Sequence, residues 1–171
     1  MMRFILALSV LVSLHACSAD STQPVAYNDS LAVQQIRITE KANKLQDAFA
    51  GYVRGEMEIR RNELENQLEK AEEQVDKMQA FKNDESLLKA AKDLIKGYKE
   101  LNASEYDEAI KILSKPDSVY TEVDEARLTI LYKSIDEKSN RLISEFLQAQ
   151  KTFAGNNNLQ LKPAYEESAS N

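Results

Sequence analysis

Apolar residues recur at helical spacing along most of the chain, interrupted by a few short polar stretches. The clearest stripe is Met57, Leu64, Leu68, Ala71, Val75 and Met78. From Leu64 onward its steps alternate 4, 3, 4, 3, with Glu, Lys, Asn and Gln between, which predicts a helix over about 56–79 that is solvated on most of its circumference. Upstream, Leu31, Val33, Ile36, Ile38, Leu45, Ala48, Phe49 and Tyr52 approximate one face of a first helix, although Ile38 and Ala42 loosen the pattern. Asn28-Asp29-Ser30 offers N-cap candidates for it. Gly51 and Gly55 bracket Tyr52-Val53-Arg54 and predict a turn; one uninterrupted helix over about 30–79 is the alternative.

After a loop at Ala80-Phe81-Lys82-Asn83-Asp84, a third helix starts with Asp84 or Glu85 and carries Leu87, Ala91, Leu94, Ile95, Tyr98 and Leu101. Its stripe resumes out of register at Tyr106, Ala109, Ile110 and Leu113, and Ser104-Glu105-Tyr106-Asp107 resembles a capping box with Asp in place of Glu or Gln. A kink near 102–104 accounts for both. Lys115-Pro116-Asp117-Ser118 is a helix stop, and Thr121-Glu122-Val123-Asp124 opens a last helix over about 121–154. Its inner face is Leu128, Leu131, Ile135, Leu142, Phe146, Ala149 and Phe153. Lys138-Ser139 falls where an apolar layer belongs, so packing is expected to thin there. Residues 155–171 lack periodicity and read as a disordered tail. Four amphipathic helices with short links and no strand-like alternation predict an all-α domain over 28–154. The expected arrangement is an antiparallel up-down-up-down four-helix bundle with its third helix kinked near 102–104. A long two-helix coiled coil with extra helices alongside is the alternative.

The first residues change the picture. Met1-Met2-Arg3 precedes an apolar run from Phe4 to Leu14, too short to span a bilayer, which needs about 20 apolar residues, but suited to a signal peptide. The run ends Leu14-His15-Ala16-Cys17, which resembles the bacterial lipobox. That resemblance implies a signal peptide over 1–16 and a lipid-bearing Cys17 as the new N-terminus. Two or more acyl chains make such an attachment stable. Residues 17–27 then read as the lipidated cysteine and a flexible tether, interrupted by Pro24. Ser18, in place of the Asp that favours inner-membrane retention, points to the bacterial outer membrane, with the periplasmic or cell-surface face left open.

Composition removes most chemistry. Cys17 is the single cysteine, so no intrachain disulfide is available. The single histidine, His15, leaves with the signal peptide, and there is no tryptophan. Ser-His-Asp, Cys-His and zinc chemistries are therefore closed to the mature chain. Glycines at 51, 55, 97 and 155 fit no phosphate-binding loop. Loss of Arg3 takes the net charge from −6 to −7, without a basic patch, which argues against nucleic acid as a partner. An enzyme is not expected, nor a cofactor.

The remaining candidates are weak signals. Asp84 with Glu85, or Asp117, Glu122 and Asp124, offer oxygen ligands for calcium or magnesium, but helix capping explains them more simply. Tyr98, Tyr106 and Tyr132 lie on core stripes, where boundary packing outweighs an aromatic ligand pocket. Asp20-Ser21-Thr22, Asp29-Ser30-Leu31 and Asp117-Ser118-Val119 resemble the Asp-Ser/Thr-aliphatic acceptor of O-glycosylation in some Gram-negative bacteria. They make Ser21, Ser30 and Ser118 candidates, although Asp-Ser is also ordinary capping chemistry.

Pro24-Val25-Ala26-Tyr27-Asn28-Asp29, Ala80-Phe81-Lys82-Asn83-Asp84, Tyr98-Lys99, Tyr106-Asp107-Glu108 and Phe146-Leu147-Gln148-Ala149-Gln150-Lys151-Thr152-Phe153-Ala154 together resemble an uncharacterised family of bacterial surface lipoproteins of Leptospira type. The resemblance covers nearly all of the mature chain and implies the helical fold and the envelope location. It brings no activity and no catalytic residues. The functional expectation is a lipid-anchored, non-enzymatic bundle that binds an envelope protein, another envelope component or a small ligand. A periplasmic carrier of a small apolar ligand and a carboxylate-based divalent-cation binder are the alternatives.

Overall fold

The computed structural model describes residues 22–161, and every regular element among them is helical. The expected signal peptide, Cys17, Ser21 and the chain beyond 161 lie outside the described residues.

Helix α1 spans Thr22–Phe49. It begins ahead of the expected cap at Asn28, so residues 22–27 are helix rather than flexible tether. Pro24 does not prevent this, because it sits in the first turn, where backbone N–H groups have no partner within the helix. The buried positions of α1 are Pro24, Asn28, Leu31, Gln34, Ile38, Ala42, Leu45 and Phe49. Ile38 and Ala42, which loosened the sequence pattern, in fact set its phase, and Ile36 is half exposed. Gln34 takes a core position because its amide is satisfied across the helix pair. Its Nε2 donates to Gln74 Oε1 at 2.7 Å, and Gln67 Nε2 donates to its Oε1 at 3.3 Å.

Helix α1 gives way at Ala50 to a turn ending at Val53, and α2 runs Arg54–Asp76. The turn falls where the two glycines predicted it, but the residue in the left-handed region is Tyr52, with φ 53°. In α2 the expected seam is buried at Met57, Leu64, Leu68, Ala71 and Val75. Lys41 Nζ reaches Glu63 at 3.0 Å.

Helix α3 covers Ser86–Leu101. Asp84 Oδ1 starts it by accepting from Ser86 N at 2.9 Å and Ser86 Oγ at 2.6 Å. A π-helical turn, Asn102–Tyr106, follows directly, and α4 continues over Asp107–Leu113. The expected capping box at 104–107 does not form. Ser104 Oγ instead donates back to Glu100 O at 2.6 Å and to the neighbouring Glu105 carboxylate, so the backbone stays helical.

Helix α5, Glu122–Asn156, opens on a true capping box between Thr121 and Asp124. Leu128, Leu131, Ile135, Leu142, Phe146 and Phe153 are buried as expected, and Ser139 joins them. The folded body passes the expected boundary at 154. Gly155 and Asn156 belong to α5, and Leu159 packs on the core with its N–H donating to Ala154 O at 2.8 Å. Helices α3 and α5 approach closely at Gly97, where an added Cβ would stand 2.5 Å from Leu142 Cδ2.

Candidate functional site

Polar groups collect in the middle of the body, where Lys138-Ser139 suggested thin packing. The layer is filled by two tyrosines. Tyr98 and Tyr106 are both fully buried, and Gln46 Nε2 donates to Tyr106 Oη at 3.2 Å. Burial raises the Tyr98 phenol, and the Ser139 and Thr39 hydroxyls beside it pull the other way. The Tyr106 phenol is pushed higher still by burial and by Tyr98, against Gln46 and Ser139. Ser139 Oγ stands near both rings yet completes no hydrogen bond of normal geometry among the described residues. These tyrosines are packing with a satisfied edge rather than the lining of a pocket.

The π turn places Glu105 beside this layer. Its carboxylate accepts from Lys138 Nζ, from Ser104 Oγ and, at 3.0 Å, from Ser134 Oγ. Burial alone would raise this acid. The ammonium and the hydroxyls outweigh it and hold the carboxyl at about 2. Lys138 thus leaves the core stripe to pair at its rim while Ser139 turns inward. Next to it, Asn102 Nδ2 donates to Glu65, whereas its buried Oδ1 finds no partner among the described residues. Arg61 Nη1 bonds Asp107 Oδ1 at 2.6 Å. The sequence placed Glu105 only inside an expected capping box, without a role of its own, and did not single out Ser134. The only signal for them was a lysine on an apolar stripe, which implies a carboxylate opposite.

Aromatic residues mark both ends of the body. At one, Tyr27, Phe81 and Phe153 form a triangle with ring centroids 5.4, 5.4 and 5.5 Å apart. At the other, Phe49 stacks on Tyr132 at 5.9 Å and meets Tyr106 at 6.1 Å.

Two of the carboxylates considered for a cation, Asp84 and Asp124, are used otherwise. Asp84 accepts from Ser86 in the turn leading into α3, and Asp124 serves the capping box while accepting from Lys115 Nζ at 2.6 Å. Asp117 and Glu122 stay exposed. Among the described residues no cluster of three or more His, Cys, Asp or Glu is disposed to hold a metal. The glycan candidates separate. Ser30 lies inside α1 with its hydroxyl donated to Ala26 O at 2.7 Å, whereas Ser118 is exposed in the turn before α5. No described helix is long and apolar enough to cross a membrane. Comparison with family models, with curated proteins and with solved structures found no match.

Proposed function

We propose that this chain is a bacterial outer-membrane lipoprotein, anchored through lipid on Cys17, whose helical body is a non-enzymatic binding or structural module of the envelope. The lipobox-like Leu14-His15-Ala16-Cys17 supports the anchor, and the Leptospira-type resemblance supports the location. In this reading the body is an antiparallel up-down-up-down bundle kinked near 102–104. Support comes from the paired residues, whose numbers run in opposite directions along each helix pair. Gln34 meets Gln74 while Lys41 meets Glu63; Lys92 meets Asp76 while Asn102 meets Glu65; Gly97 abuts Leu142 while Glu108 meets Arg127. The π turn at Asn102–Tyr106 supports the kink.

The observation that carries the non-enzymatic reading is the state of the buried carboxylates. Glu105 and Asp124 are the buried acids among the described residues. Each is partnered by a lysine, Glu105 also by two serine hydroxyls and Asp124 by that of Thr121, and each is held below the ordinary carboxylate range. A general acid or base acts best with a pKa near the working pH, and these two are tuned away from it. The test is purification from native membranes in mild detergent after light crosslinking, with mass spectrometry of what is recovered. A specific envelope protein at constant stoichiometry is the expected result. A hydrolase activity abolished by Glu105→Gln or by a single serine substitution would overturn the reading.

A further inference from the structure

Resting on that reading, we propose that the end of the body formed by the α1–α2 turn and the segment entering α5 docks a segment of another protein bearing apolar side chains flanked by Lys or Arg. Apolar surface is concentrated there. Tyr52, Val53, Val119 and Val123 are 67, 59, 56 and 77 % exposed, with Tyr120 half-buried beside them. Phe49, at the end of α1 just before the turn, stacks on Tyr132 of α5 at 5.9 Å, which sets the α1–α2 turn against the first part of α5. Tyr52 accordingly adds to the raising of the Tyr120 and Tyr132 phenols by desolvation. Scattered exposed apolar residues are ordinary, but a cluster at one tip is the form that recognition surfaces take. Tyr52 also holds a left-handed backbone, φ 53°, although Gly51 stands next to it. The turn therefore accepts strain while keeping its ring in water.

Charge defines the occupant. Three cations around the tip each have a carboxylate of their own, while Lys111 and Arg61 share Asp107. Lys115 binds Asp124 at 2.6 Å, Arg54 binds Glu58 at 2.7 Å, and Arg127 grips Glu108 through two bonds of 2.6 and 2.7 Å. Among the described residues Asp117, Glu122 and Glu125 have no ion pair, so the rim carries exposed negative charge, met at Glu122 and Glu125 only by the positive end of α5. A basic segment complements that rim. An anionic lipid surface is repelled by it, and so is a second copy presenting the same tip. Reach agrees with this choice, since the 28 residues of α1 extend about 42 Å at 1.5 Å each, which sets the tip far from the end at which α1 begins, the end that follows Cys17 in sequence.

The test places the photoreactive residue benzoylphenylalanine at Tyr52, or in a second variant at Val123, in the full acylated chain in native membranes, with Leu147 on α5 as control position. Expected are protein adducts from the tip positions whose attached segment, located by mass spectrometry, has apolar residues flanked by Lys or Arg. A synthetic peptide of that segment should bind about tenfold more weakly to the D117N/E122Q/E125Q variant. Adducts to lipid, to a second copy or to an acidic segment would overturn the proposal. Partner adducts from Leu147 alone would sink the tip while sparing the binding-module reading. Absence of adducts at all three positions would count against both.

Discussion

Replacing Glu105 by Gln removes one negative charge and keeps the shape, so it isolates the charge from the packing. The carboxyl sits at about 2 in the fold against an ordinary 4.5. At 1.36 kcal/mol for each pKa unit, that difference corresponds to about 3 kcal/mol of stabilisation. Lys138, however, is 47 % exposed, so solvent screens the pair and the released ammonium can turn into water. About 2 kcal/mol is the better expectation for the loss at neutral pH. The sign in pH follows from the depressed value. Stabilisation by Glu105 is complete above the unfolded pKa and fades as pH falls through the folded one. The window therefore runs from roughly pH 5 down to pH 2. Urea unfolding followed by far-ultraviolet circular dichroism, for both proteins at several pH values, reads this directly. Asp107 and Asp124 are also held low by their partners, and both proteins lose those contributions, so the difference between them reports Glu105. The gap should be about 2 kcal/mol at pH 7 and close toward pH 2. A gap that stays constant across that range, or none at pH 7, would refute the account of how this acid is held.

Gly97→Ala should destabilise by about 1–3 kcal/mol, because its Cβ would stand 2.5 and 2.6 Å from the Leu142 methyls and overpacking outweighs alanine's helix preference. A higher melting temperature would show that Leu142 yields freely. Tyr52→Gly should stabilise by about 1 kcal/mol, since an exposed L-residue at φ 53° forgoes that much relative to glycine; chemical denaturation measures it, and a loss of stability would mean that the ring makes contacts which matter. On alkaline titration followed at 295 nm, the phenols of Tyr98 and Tyr106, both raised by burial, should ionise only as the helical signal collapses. Because these pKa values rise on folding, their contribution is complete below the ordinary tyrosine value and is lost above it. Ionisation of every phenol with the helical signal intact would contradict their burial.

The parts of the fold that one helix declares by itself were legible in the sequence. The α2 seam and the inner face of α5 depend on spacing alone, and Met57, Leu64, Leu68, Leu128, Leu131 and Ile135 are buried as their rhythm predicts. The phase of α1 was not legible. Gln34 occupies a core position that an apolar count must reject, and it is acceptable only because α2 brings Gln74 and Gln67 to it. The start of α1 failed for a related reason, since Pro24 is a breaker in a helix interior and harmless in a first turn. Lys138 looked like a flaw in a stripe. It becomes intelligible once Glu105, 33 residues away in sequence, is its partner. For Gln34 and Lys138 the missing information was a contact between helices, which local periodicity does not contain.

The π turn joins these observations. Leu101 and Tyr106 are five residues apart, and in α-helical geometry that places them roughly 140° apart around the axis. Both are nevertheless buried, at 1 % and 0 % exposure. A turn bonded i to i+5 brings residues five apart back onto one face. The extra residue therefore explains why the apolar stripe breaks register at 102–104 without leaving the core. The same turn carries Glu105 to Lys138 and Ser134, and it brings Tyr106 beside Ser139. Phase shift, buried acid and tyrosine layer are thus one feature. The polar residues that looked like weak packing on α5 are the counterpart of an irregular turn on the helix opposite.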